Sequence, residues 1–474
     1  MSSALLLPGF VGTELPAWLE QRLRDGLGGV CLFGMNIQSP EQLERLCGDI
    51  YAANPVAIIA IDEEGGDVSR LYQAQGSPFP GNAVLGRLAD AGLTEGVGAQ
   101  VGWELRRAGV GLTLAPDADI NSNPLNPVIG VRSFGTDPTE VALHVAAWTR
   151  GLEGTGVASC AKHFPGHGDT AADSHHALPV IDAEVQTIHE RELVPFRAAI
   201  DAGARTIMTS HIMVPSLDPD NPATFSRRIL TDLLRGELGF EGVIVTDALD
   251  MAGASGDRGI PAAAVAAVAA GAELLCIGTR NTDAQLTQIL EALDAAVSDG
   301  TIPSDVVEAA AVHVRSLGAE LARERETIAI APGIVPGTVR GIDAQRVAKA
   351  FEISDHGRAI LERNAGRPLA WVPLATTANM AVGDAPWGPF AAGVSPSRDA
   401  ADGALAVAVG KDLLRHPAAV ETIAKLRSRG DVLVVEMGWP DPSLEGVDIA
   451  TYGASRLVGE ALIDVIGRDT CVSE

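Results

Sequence analysis

Eight short apolar runs, separated by segments with helical spacing, constrain this chain more than any other feature of its sequence. They lie at residues 4–8, 29–33, 56–62, 112–120, 157–164, 206–214, 242–247 and 274–278. Near-continuous apolar strands alternating with helices belong to parallel sheets covered on both faces. Eight such units match a (β/α)8 barrel of the TIM type. An open doubly wound sheet would call for a Gly-x-Gly-x-x-Gly turn after an early strand; the nearest approach is Glu64-Gly65-Gly66. The segments between the runs carry helix signals. Ser39 caps and Pro40 opens a helix over 40–53, with Leu43, Leu46 and Ile50 on one face. An alanine-rich helix is expected over 261–271 and a long one over 303–325.

The chain has 474 residues, too many for one compact core, so two domains are expected. The alternation breaks at 327–342, where two Pro-Gly pairs mark a linker. The expected division is a barrel over 1–326 and a smaller α/β domain over 343–474, with strands at 369–374, 405–409 and 432–437. No cluster of ionisable groups comparable to that of the first part stands out in the second. Tyr452 and Arg456 read there as structural.

A formal net charge of −26 repels nucleic acid and anionic lipid, so neither is an expected partner. Five cysteines, at 31, 47, 160, 276 and 471, have no paired spacing, which argues against a disulfide framework. Cys31, Cys160 and Cys276 lie inside apolar runs, where a thiol acts as a small hydrophobe. The first residues lack the basic start and long apolar segment of a signal peptide. A cytoplasmic location is the expectation.

In a barrel of this kind chemistry sits at the carboxyl ends of the strands. Those ends hold Asp62, Asp117, Asp119, Lys162, His163, His211 and Asp247. Ionisable groups are costly to leave unpaired in an apolar interior, and their recurrence over five strands points to a site. After the fifth run comes a polar loop, 162–179, with four of the ten histidines. Gly166 and Gly168 allow its backbone to bend. His163 and His167 are four apart, but Pro165 between them blocks the helix that would bring them together, so a metal site is the lesser reading. Nothing in the sequence calls for a cofactor.

Asp247 ends an apolar strand and is suited to attack an electrophilic carbon. Retaining glycoside hydrolysis needs such a nucleophile and a partner that first gives and then removes a proton. His175 titrates in the right range, and Asp173, two residues earlier, can orient it. Asp62, Lys162 and His163, with Arg70 and Arg132 on nearby loops and His211 at the sixth strand end, form a set suited to sugar hydroxyls.

These residues lie in motifs that resemble a known family. Ile61-Asp62-Glu63-Glu64-Gly65-Gly66, Arg132-Ser133-Phe134-Gly135, Lys162-His163-Phe164-Pro165-Gly166-His167-Gly168, Asp173-Ser174-His175 and Thr246-Asp247-Ala248-Leu249 are similar to glycoside hydrolase family 3, in its β-N-acetylglucosaminidase branch. The likeness runs in order from about residue 5 to residue 321. It implies Asp247 as nucleophile, His175 as acid/base on a mobile loop, and Asp173 as its assistant. It also implies that Asp62, Arg70, Arg132, Lys162 and His163 hold a terminal N-acetylglucosamine. The implied substrate is a muropeptide fragment of peptidoglycan recycling or a chitooligosaccharide. The chain departs from the family pattern in two places. Asp67 stands where an arginine often follows the Gly-Gly pair, and the chain continues past the barrel into a domain that resembles a shortened α/β sandwich. A histidine acid/base, neutral after giving up its proton, would also admit inorganic phosphate as an acceptor. The competing readings are a β-N-acetylglucosaminide phosphorylase, a β-glucosidase or β-xylosidase of the same fold, a catalytically silent sugar-binding protein, and a metal-dependent amidohydrolase.

Overall fold

The computed structural model describes residues 1–170, 178–375, 381–383, 385–398, 403–441 and 446–469. All eight expected runs contain a strand: β1 (Leu6–Pro8), β2 (Gly29–Leu32), β3 (Ile58–Ile61), β4 (Leu112–Thr113), β5 (Cys160–Phe164), β6 (Thr206–Thr209), β7 (Val243–Val245) and β8 (Leu275–Gly278). Every pairing among them is parallel. The ladders run β2-β3-β4, β5-β6-β7 and β1-β8. Single parallel bridges join the groups: Leu112 to Ala158, Asp117 to Lys162, and Val245 to Leu274. Gly28 donates its N–H to Ser3 O at 3.1 Å and its carbonyl accepts from Ile58, which ties the starts of β1 and β3 through the residue before β2.

The strands are shorter than the apolar runs, and for β4 and β6 the difference falls at the carboxyl end. The run at 112–120 is ladder only over Leu112–Thr113. Pro116 has no N–H to continue the ladder. Beyond it, Asp117 is bridged to Lys162 and Ala118 N donates to Lys162 O at 2.6 Å, which keeps the segment against β5.

The helices follow the sequence closely. Pro40–Ala53 is helical, Ser39 Oγ accepts from Gln42 N at 3.2 Å, and Leu43, Leu46 and Ile50 are buried. The later helices span Gly259–Ala270 and Ser304–Thr327. Side chains from residues 4 to 321, joined by Val339, form two apolar clusters around the strands. Cys31, Cys160 and Cys276 lie in the inner one as buried free thiols; Cys471 lies outside the described residues. Among the described residues no helix is long and apolar enough to cross a membrane.

The C-terminal part has its own five-stranded sheet, in the order β10-β11-β12-β13-β9. Its strands are β9 (Glu352–Ile353), β10 (Leu369–Pro373), β11 (Leu405–Gly410), β12 (Val432–Glu436) and β13 (Ile449–Ala450). β9 runs antiparallel to β13; the other pairings are parallel. Alternate residues serve opposite faces. Leu405, Val407, Val409, Leu433 and Val435 pack with the helices Asp355–Arg363 and Arg456–Asp469. Ala406, Ala408, Val432 and Val434 pack with Pro417–Arg427. The sheet is therefore covered on both sides. β9 and β13 have two residues each, too few for any periodicity to show in sequence. Tyr452 donates its hydroxyl to Glu352 at 2.8 Å, and Arg456 opens the last helix, so both are structural here.

Asp67 fastens the two parts together. Its Oδ2 lies 2.9 Å from Lys411 Nζ, and its Oδ1 accepts from Ala454 N at 2.8 Å. The departure from the family's usual arginine thus has a physical partner, because an arginine at this position would face Lys411. Replacing Asp67 by alanine leaves Lys411 and Ala454 N without that acceptor and should cost about 2 kcal/mol of stability. A double-mutant cycle with Lys411→Met, followed by denaturant unfolding, checks this; additive losses would show that the pair is not coupled.

Candidate active site

Four of the strand-end residues and their neighbours meet in one cavity of about 310 Å3. Asp62, Arg70, Arg132, Lys162, His163 and Asp247 all line it. So do His167, Asp250, Phe33, Met208, Met251 and Cys276. The cavity lining thus combines charged groups with apolar side chains.

The charged groups form a lattice of alternating sign. Lys162 Nζ sits 2.9 Å from Asp62 Oδ1 and 2.8 Å from Glu64 Oε1. Arg132 grips Glu64 with two bonds, Nε to Oε2 at 3.0 Å and Nη2 to Oε1 at 2.8 Å. Arg70 Nη2 approaches Asp62 Oδ2 at 3.4 Å and donates to Ala381 O at 2.8 Å. Burial works against the ionised carboxyls, but the neighbouring cations outweigh it. Lys162 and Arg70 hold Asp62 below the usual carboxylate range. Arg132 and Lys162 bring Glu64 down to about 2. The same carboxylates lift Lys162 and Arg132 above their ordinary values despite burial.

Behind the lattice stand Asp117 and Asp119, both fully buried. Asp119 Oδ2 is 2.7 Å from His163 Nδ1, and its Oδ1 accepts from His167 N at 2.6 Å. One carboxylate thus orients the His163 ring and pins the chain leading to His167. Burial would raise Asp119, and the two histidines keep it low. Asp117 goes the other way: burial and the charge of Asp119 push it well above its ordinary value. His167 is driven down to about 4 by burial, so its imidazole is neutral at physiological pH. Asp117, Asp119 and His163 have ligand-type atoms within 4.8 Å of one another. Arg132 Nη2, 3.5 Å from Asp117 Oδ2, already supplies positive charge there.

The two glycines of the loop act differently. Gly166 has φ +124°, a conformation other residues rarely adopt. Gly168 is needed for proximity, since a Cβ there would lie 1.6 Å from Ile120 O. Asp247 is half-buried, and its Oδ1 accepts from Ala248 N at 2.7 Å. His211 is not among the residues lining the cavity. Its Nδ1 faces Thr224 Oγ1 at 2.9 Å and its Nε2 faces Ala248 O at 3.0 Å. It braces the turn after Asp247 through these contacts. Asp173 and His175 lie outside the described residues.

Sequence reasoning passed over Glu63 and Glu64, although both follow Asp62 directly. Glu63 Oε2 accepts from Ser69 Oγ, Arg70 N and Leu71 N at 3.0, 2.9 and 2.9 Å, and so shapes the loop that carries Arg70. A run of three acids at a strand end was the available signal.

Burial pushes Glu63, Glu192 and Glu436 each up to about 7 from an ordinary 4.5. Across that window the native protein binds more protons than the unfolded chain. Their contribution is complete below 4.5 and is lost as pH rises through 7. Glu192→Gln keeps an acceptor for Arg191 and removes one ionisation. Melting curves at about pH 5 and about pH 8 should show a smaller fall in midpoint for the variant than for the parent. Equal falls would contradict the assignment.

Comparison with known proteins matches the family model described as the glycosyl hydrolase family 3 N-terminal domain to residues 12–317. A β-hexosaminidase A of Pseudoalteromonas piscicida is 35% identical over 382 residues, 74% of this chain and 64% of that protein. The chain thus spans a little under two thirds of that relative's length. A β-hexosaminidase of Chromobacterium violaceum is 40% identical over 293 residues, 60% of this chain and 80% of the relative. The structure of a glycoside hydrolase family 3 β-N-acetylglucosaminidase from a Paenibacillus species superposes with a TM-score of 0.84 at 29% identity, covering 99% of this chain and 96% of that one.

Proposed function

The chain belongs to glycosyl hydrolase family 3, and from that premise we propose that it is a retaining, exo-acting β-N-acetylglucosaminidase. One observation carries the reading: Asp247 opens into the same cavity as Asp62, Arg70, Arg132, Lys162 and His163. The β-hexosaminidase relatives and the β-N-acetylglucosaminidase structure support the same reaction class.

In this reading the Asp62, Arg70, Arg132, Lys162 and His163 wall takes the hydroxyls of a terminal N-acetylglucosamine. Paired charges give fixed, directional partners to neutral hydroxyls. Asp247 then attacks the anomeric carbon, and the bond to the departing oxygen breaks. His175 gives its proton to that oxygen, with Asp173 stabilising the imidazolium before transfer. In the second half the neutral His175 takes a proton from water, which displaces Asp247 from the glycosyl-enzyme. The substrates are muropeptide or chitooligosaccharide fragments, and inorganic phosphate is a candidate acceptor in place of water. Formation of a sugar 1-phosphate at millimolar phosphate tests that last point.

The architecture is part of the proposal. β8 pairs with β1, bridges join β4 to β5 and β7 to β8, and Gly28 N bonds to Ser3 O between β1 and β2, which supports a closed (β/α)8 barrel. The separate apolar clusters support a catalytic domain over 1–326, a linker over 327–342 and a second α/β domain over 343–474. Buried free thiols and the acidic surface suit a cytoplasmic site of action without nucleic-acid or membrane partners.

Asp247→Asn should lower turnover of an aryl N-acetylglucosaminide by a factor on the order of 10⁴. A 2-fluoro or 5-fluoro sugar should label Asp247 in the parent, read by peptide mass; a label elsewhere would move the nucleophile. His175→Ala should lose on the order of 10²-fold or more on substrates with poor leaving groups, and less on activated aryl glycosides. Equal losses on both would remove His175 as the proton donor.

A further inference from the structure

One buried side chain joins the segment 126–132 to the polar loop that follows β5. Asn126 is 3% exposed. Its Nδ2 donates to His167 O at 2.8 Å and to Gly168 O at 3.0 Å, and lies 3.2 Å from Thr170 Oγ1. Its Oδ1 accepts from Val128 N at 2.9 Å and from Ile129 N at 2.8 Å. We propose that Asn126 is a positioning residue that sets the spacing between the sugar-holding wall and the loop that carries the proton donor. The proposal rests on the carbohydrate reading above and adds to it a residue that acts through others.

Three observations carry it. The first is that the amide is fully used. A side-chain amide has two N–H groups and one carbonyl oxygen. Here oxygens surround the nitrogen and backbone N–H groups face the oxygen. A turned amide would oppose like with like on both sides, so a single orientation satisfies every partner.

The second is the shortness of the path on each side. Ile129 O accepts from Arg132 N at 2.9 Å, and Val128 O accepts from Arg132 Nη1 at 3.3 Å. The two residues bonded to Asn126 Oδ1 are therefore the two that hold Arg132. On the nitrogen side, residues 167–170 lead directly in sequence to Asp173 and His175.

The third is that the same stem is fixed elsewhere. Asp119 Oδ1 accepts from His167 N, Gly168 lies against Ile120 O, Asp169 pairs with Arg191, and Thr170 Oγ1 is 2.9 Å from His167 Nδ1. Those contacts shape the stem, and the Asn126 amide ties that shape to the segment ending in Arg132. Such spacing matters because a reacting group misplaced by about 1 Å can cost on the order of 10²-fold in rate.

The experiment uses Asn126→Asp, which keeps an acceptor for Val128 and Ile129 and removes the donors to the stem. It should lower kcat/KM on chitobiose, whose leaving group needs a proton, about tenfold more than kcat/KM on an activated aryl N-acetylglucosaminide. Inhibition by N-acetylglucosamine, which reports on the Arg132 wall, should stay within about twofold. In a His175→Ala background the same change should cost less than about twofold on chitobiose, because the donor it positions is gone. Equal losses on the two substrates, or a full second loss in the His175→Ala background, overturn the proposal. Hydrogen exchange supplies an arm that needs no turnover. Amides of 167–170 should exchange about tenfold faster in Asn126→Asp than in the parent, while those of β6 and β7 stay as they were. Unchanged exchange at 167–170 overturns the tie, and so does faster exchange throughout the barrel, which marks a general loosening. If the parent turns over no N-acetylglucosaminide, the catalytic reading falls, and exchange decides the tie by itself.

Discussion

The pairing of Glu64 with Arg132 and Lys162 is the constraint on which the site depends. All three side chains are at most 5% exposed. An unpaired ion so deeply placed would cost several kcal/mol, so each member needs the others. Asp62 and Arg70 extend the lattice toward the cavity, and Asp117 and Asp119 close it from behind through Arg132 and His163. The arrangement supplies many fixed hydrogen-bonding groups with little net charge. That suits a ligand with several hydroxyls and no charge of its own.

The two parts of the chain meet beside this lattice. Arg70 donates to Ala381 O and Lys411 reaches back to Asp67, so residues far apart in sequence share the rim. Arg415 adds contacts to the carbonyls of Asn126 and Pro124, on the segment that leads to Arg132. The C-terminal part is thus fastened to the loops that shape the site, as well as packed on its own sheet.

The eight strands were legible because buried parallel strands are apolar almost without interruption, and in five of the runs a change to ionisable residues marks the end. Asp62, Lys162, His163 and Asp247 lie at such changes, and all four line one cavity. His211 satisfies the same rule and meets Thr224 and Ala248, since a strand-end position does not fix which way a side chain points. Glu63 and Glu64 were hidden by proximity to Asp62: three adjacent acids look alike in sequence, and only the fold separates their tasks. Lys411 carried no local signal, because its partner Asp67 lies more than three hundred residues away in the chain. β9 and β13 were too short to leave a pattern.

The pairing of β1 with β8 has a consequence for synthesis. Leu6 finds its partner Leu275 only after nearly the whole N-terminal part has been made. Until then the first strand lacks that partner, and its apolar residues must be kept from wrong associations. Such long-range contacts make folding slow, since a large loop must close before its contacts repay the lost entropy. The start of the chain therefore waits longest for its place, and its apolar strand is open to wrong associations in the meantime.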